Sequence, residues 1–75
     1  MFFEDYKKAF EILADTISIS SVCLEKVVHS NDGKYIIFIT TFPGLRYFVE
    51  LDTERVERRT LVDTNDWHDN IVVLR

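Results

Sequence analysis

The spacing of apolar residues changes once along this chain, from helical to extended. That change constrains the fold more than any other feature. Over residues 2–17, Phe3, Tyr6, Phe10, Leu13 and Ile17 recur at intervals of three and four, with Phe2 and Ala9 widening the stripe. Side chains at those intervals share one side of a helix, so the segment predicts an amphipathic helix. Glu4, Asp5, Lys7, Lys8, Glu11 and Asp15 fill the rest of its surface. Glu4 and Asp5 fall in the first turn, where the helix dipole favours anions. No glycine stops the helix. It fades into Thr16-Ile17-Ser18-Ile19, where β-branched side chains favour extended chain.

From residue 18 the period is two. Val22, Leu24 and Val28 are expected on one face of a first strand, with Lys26 interrupting and a bend or bulge near Ser20-Ser21. Cys23 has the opposite parity and reads as a buried, inert thiol. Asn31-Asp32-Gly33 is a hairpin signal, because glycine adopts positive φ without strain. Lys34–Phe42 is apolar on both faces, with Ile36, Phe38 and Phe42 on one and Tyr35, Ile37 and Ile39 on the other. Such a strand belongs inside a sheet. Pro43-Gly44 fits the centre of a type II turn. Leu45, Tyr47, Val49 and Leu51 then alternate with Arg46, Phe48, Glu50 and Asp52 in a third strand. Val56, Arg58, Thr60 and Val62 against Glu57, Arg59 and Leu61 make a charged fourth strand that suits an edge. Ile71–Leu74 is a short apolar run that offers a fifth.

These elements predict an α+β fold: an N-terminal helix packed on a four- to five-stranded antiparallel meander. The parity that faces the helix stays open at this point, and Phe38 and Phe48 either share the uncovered face or belong to the core. At 75 residues the chain has room for a single domain, 1–75. A hydrophobic content of 47% with a net charge of −4 argues against disorder. The chain starts without a basic and apolar leader, and its longest apolar run, Tyr35–Ile39, falls far short of the roughly 20 residues a membrane helix needs. With a single cysteine it makes no internal disulfide, so a cytoplasmic protein is expected.

Four constellations bear on function. The polar loop Asp63, Asn65, Asp66, His68, Asp69 and Asn70 offers oxygen ligands and an imidazole, but the EF-hand spacing fails and no zinc signature is present. It reads as a solvated turn-rich loop, with no metal and no cofactor. His29 and His68 are the available general bases, and neither Ser20, Ser21 nor Ser30 sits in a nucleophile elbow. Arg46, Arg55, Arg58 and Arg59, near Tyr47 and Phe48, could flank a base-stacking surface. Thirteen acids against nine bases oppose a phosphate partner, and Glu54 and Glu57 stand among those arginines as local ion-pair partners.

The fourth constellation is acidic. Asp63, Asp66 and Asp69 surround Trp67, and Glu4, Asp5 and Glu11 form a second patch on the helix. A tryptophan ringed by carboxylates is either a plug under its loop or an interface anchor with a steering field for a basic partner. A tiny, acidic, aromatic-rich domain without catalytic motifs is similar in profile to phage and mobile-element inhibitors and to bacterial immunity proteins. The expectation is therefore a non-enzymatic protein-binding module, an inhibitor of a basic, nucleic-acid-handling partner. The alternatives are a single-stranded nucleic-acid-binding module using the arginine strands, and a structural homo-oligomer such as a homodimer. No membrane partner is expected.

Overall fold

Helix α1 covers Phe3–Thr16 and is followed by strands β1 (Leu24–His29), β2 (Tyr35–Thr40), β3 (Leu45–Glu50), β4 (Arg55–Thr60) and β5 (Ile71–Val73). A computed structural model describes residues 3–18, 23–60 and 71–75. The strands form one antiparallel sheet in the order β1-β2-β3-β4-β5. The fold is the expected helix on a meander, with five strands. The Cα radius of gyration, 11.6 Å, matches the roughly 11 Å of a collapsed chain of this length.

Strand register settles which parity meets the helix. Phe38 lies opposite Tyr47, Ile36 opposite Val49, and Val49 opposite Val56, so these residues share a face. Together with Ala9, Ile12 and Leu13 of α1 they form the buried core, flanked by Tyr6, Ile17, Leu24, Leu45, Leu51 and Leu74. Each large side chain so buried contributes about 1.5–3 kcal/mol. The core-facing line of the helix is thus Ala9-Ile12-Leu13, and Phe10, taken from its spacing as part of the stripe, stands at the margin, 37% exposed. Ile37 pairs with Phe48 on the opposite face, so Phe38 and Phe48 are separated by the sheet and do not share a surface.

The first strand departs from strict alternation. Leu24 pairs with Thr40 and Lys26 with Ile39, leaving Glu25 as an extra residue in a bulge. The bulge reverses the parity downstream: Val27 faces the helix side with Phe38, and Val28 faces the other side with Ile37. Leu24 and Val28 are therefore on opposite faces, not together as simple alternation predicts. The interruption at Lys26 marks this bulge. The suggested bend at Ser20-Ser21 lies outside the described residues.

The turns follow their sequence signals. Gly33 (φ 73°) and Gly44 (φ 80°) take the left-handed conformations expected of them. The Leu45 N–H donates to the Phe42 carbonyl at 3.2 Å, closing a turn with Pro43 and Gly44 at its centre. Phe42 belongs to that turn and is 70% exposed, where alternation placed it in the strand beside Phe38. The buried Thr40 hydroxyl donates to the Leu45 carbonyl (2.9 Å) and accepts from the Phe42 N–H (3.2 Å), which anchors the turn. Strand β4 is not an edge, because β5 pairs with it. Cys23 is exposed rather than buried; it precedes β1, and its carbonyl accepts from the Thr41 N–H at 2.9 Å.

Candidate functional site

A single helix cannot cover this sheet. Side chains included, α1 is about 10 Å wide, whereas five strands spaced about 4.8 Å apart span about 19 Å. The helix packs over β2, β3 and β4. Beside β1 it leaves an apolar groove of 440 Å³ lined by Tyr6, Phe10, Leu24, Val27 and Phe38, with Lys7 and Glu11 at the rim. Phe10 and Val27 are its exposed walls. The buried Phe38 ring, tilted against Phe10 with centroids 6.3 Å apart, makes the floor. Val27 reaches the groove only because the Glu25 bulge turns it to the helix side.

Of the helix acids, Glu11 borders this groove, with Lys7 beside it. Glu4, Lys7, Lys8, Glu11 and Asp15, at three- and four-residue spacing, share the ridge that points away from the sheet, and all are exposed. Asp5 is half-buried, on the line of Ala9 and Ile12, and does not belong to the ridge. Of the expected helix patch, Glu4 and Glu11 are together on the surface and Asp15 joins them. Asp63, Asp66, Trp67, Asp69 and His68 lie outside the described residues.

The arginines do not form one patch. Arg58 pairs with Tyr47 on the helix side, while Arg46, Arg55 and Arg59 lie on the other face. There Glu57 is the hub, 4% exposed. Its Oε2 accepts from Arg55 Nε at 2.7 Å, and its Oε1 accepts from Arg59 Nη2 at 2.7 Å and Nε at 3.0 Å. The Arg59 guanidinium lies over the Phe48 ring at 4.0 Å and the Tyr35 ring at 5.4 Å. Phe48, the stacking platform a nucleic-acid reading requires, is thus covered by an arginine held by its own counter-ion. Alternation along Arg55, Glu57 and Arg59 is the sequence signal for this hub.

Neighbouring polar groups are organised around the turns. Glu50 Oε1 accepts from the Thr53 hydroxyl at 2.6 Å, and its Oε2 lies 3.4 Å from Lys34 Nζ. The Thr53 hydroxyl and then the Lys34 ammonium hold the Glu50 carboxyl below its ordinary pKa, and Glu50 raises that of Lys34. The Asp32 carboxyl is lowered by the Ser30 hydroxyl, which donates to it at 2.6 Å, and by the Lys34 N–H at 3.0 Å. His29, Ser30 and Asp32 are close in sequence, yet the His29 Nδ1 contacts the Ser30 carbonyl (3.1 Å), not its hydroxyl. The Ser30 hydroxyl accepts from the Tyr35 N–H at 3.0 Å, so the group caps a hairpin. Among the described residues, no cluster of three or more histidine, cysteine or acidic side chains could hold a metal ion. No helix among them is long and apolar enough to cross a membrane.

No protein family, no curated protein and no solved structure matches the chain.

Proposed function

We propose that this chain is a non-enzymatic protein-binding module whose partner is a basic protein, engaged through the α1 ridge and the groove beside it. The observation that carries the reading is the contrast between the two sides of the sheet. On the open face, Arg55 and Arg59 share the Glu57 carboxylate, and Lys34 pairs with Glu50. On the helix side, an apolar groove lies next to a ridge on which Glu4, Glu11 and Asp15 outnumber Lys7 and Lys8. The ion pairs that the described residues make with one another lie on the sheet and its turns, not on that ridge. An apolar anchor in the groove gives affinity, and the acids steer the approach of positive charge. A nucleic-acid-handling protein fits this chemistry, because carboxylates on a ridge can occupy the positions that phosphates take. The inhibitor role, and a cytoplasmic setting for it, belong to the same proposal.

The test is capture from host extract on the immobilised chain, followed by kinetics with the purified partner. The captured protein should be basic. Its association should slow between low salt and about 0.5 M salt, where the Debye length falls to a few ångströms. Glu4→Lys with Glu11→Lys should slow association at low salt, and Val27→Lys should abolish stable binding. An association rate indifferent to both salt and the paired charge reversal refutes the reading.

A further inference from the structure

The two edges of the sheet are built differently. β1 carries the features that discourage pairing with another chain: a bulge at Glu25, and exposed charges at Glu25 and Lys26. β5 carries neither charge nor proline along its length. Its residues are β-branched and apolar, and Ile71, Val72 and Val73 are 37%, 43% and 51% exposed. Among the described residues β5 pairs only with β4.

Backbone geometry decides which of its groups face outward. The Leu74 and Arg75 N–H groups both donate to the Val56 carbonyl, at 2.8 and 3.3 Å, and the Val56 N–H donates to the Arg75 carbonyl at 3.2 Å. This closes the ladder beyond Val73. Val73 lies opposite Glu57 and Val72 opposite Arg58. Antiparallel ladders alternate, so the N–H and carbonyl of Val72 turn toward β4, and those of Ile71 and Val73 turn outward.

We propose that this edge pairs with β5 of a second copy, antiparallel, about a two-fold axis at Val72. The row of outward donors and acceptors calls for a strand, since a helix has no such row to offer. A second copy is the strand that fits, because the run is its own complement. With Val72 opposite Val72 of the second copy, Ile71 meets Val73 and Val73 meets Ile71, so each outward N–H meets an outward carbonyl. The Ile71 and Val73 side chains of both copies then cover one another on one face, and the two Val72 side chains do so on the other. The seam brings no like charges together, although each copy carries −4 overall. This inference is independent of the α1 groove.

Sedimentation velocity of the full chain over a rising micromolar series should show the mass double from 8.9 kDa. Amide exchange at Ile71 and Val73 should slow with concentration, while exchange at Val72 stays as it is. Val73→Pro removes an outward N–H and leaves the bonds to β4 intact, so it should remain a monomer with an unchanged circular dichroism spectrum. Val73→Lys, at an exposed position, decides the matter should the proline variant not fold, and it too should stay monomeric. Val27→Lys should associate like the parent. A parent chain that keeps the monomer mass throughout, folded Val73 variants that associate as the parent does, or a doubled mass without slower exchange at Ile71 and Val73 each overturns the proposal.

Discussion

Replacing Glu57 by leucine tests whether the open face of the sheet is held by charge or by stacking. In Glu57→Leu, the Arg59 guanidinium stays pressed on Phe48 at 4.0 Å and loses both hydrogen bonds to its counter-ion. The Arg59 side chain is 11% exposed, whereas that of Arg55 is 48% exposed. Breaking a buried pair by removing one partner costs about 3–5 kcal/mol, and an exposed arm such as Arg55 adds at most about 1. The residual access of Arg59 to water favours the lower end, about 3 kcal/mol. Domains of this length have about 4–11 kcal/mol of total stability, so the loss is a large fraction and easily measured. Arg59→Met should cost a similar amount, because it leaves the Glu57 carboxylate buried with only Arg55. The double variant removes both charges and keeps apolar volume over Phe48, and it should recover most of the loss. Urea titrations of the four proteins, with the m-values compared to check two-state behaviour, should give a coupling energy of about 4–5 kcal/mol, the two single losses less the small loss left in the double variant. If the double variant instead loses the sum of the single losses, the ion pair is not what holds Arg59. Cation–π contact, about 0.5–2 kcal/mol, would then be the main term.

Two further outcomes follow from the turns. Because Glu50 titrates below its ordinary range in the folded chain, its contribution to stability is present above the unfolded pKa and is lost as pH falls through the lower folded value. Glu50→Gln should flatten the acid limb of the urea midpoint measured against pH, and an unaltered limb contradicts the assignment. The raised pKa of Lys34 acts in the opposite direction: its contribution is present below the ordinary lysine value and lost as pH rises through the folded one, so Glu50→Gln should also flatten the alkaline limb. Glu54 has φ 61° without being glycine, and its side chain accepts from the exposed Arg75 Nη2 at 2.8 Å. Glu54→Gly should gain up to about 1 kcal/mol, whereas Gly44→Ala, at φ 80°, should lose about 1 or more. Changes of the same sign in the two variants refute the backbone argument.

The fold was legible because its signals are local. The three-four spacing of residues 3–16 needs only a helix, and Asn31-Asp32-Gly33 and Pro43-Gly44 each specify a turn by themselves. What was not legible depends on neighbours. Period two tells which residues share a face but not which face meets the helix, and only the register Phe38↔Tyr47 resolves that. The fourth strand reads as an edge by its charge, yet Glu57 is buried because Arg55 and Arg59 flank it at two-residue spacing and satisfy both its oxygens. Cys23 reads as core by its apolar surroundings, but it falls just outside the ladder, where an exposed position carries no penalty. The groove was hidden for a similar reason. Val27 joins it through a one-residue bulge whose only trace in the sequence is the misplaced Lys26.

Both proposed surfaces have one geometric cause. The described residues include a single helix, and it covers the middle of a five-stranded sheet. On the helix side, the strands at the two margins keep apolar side chains that the helix does not cover, Val27 at β1 and Val72 at β5. At β1, the bulge and its charges close the backbone edge to pairing, so the exposed apolar surface there is a side-chain groove next to an acidic ridge. At β5 no described strand pairs with the outer backbone edge, so the exposed surface there suits a strand. The two surfaces lie about 19 Å apart across the sheet, far enough for one to be occupied without blocking the other. A dimer joined at β5 would carry two α1 grooves at its outer ends. A partner with two basic sites that spans them would then bind with an avidity beyond either contact alone.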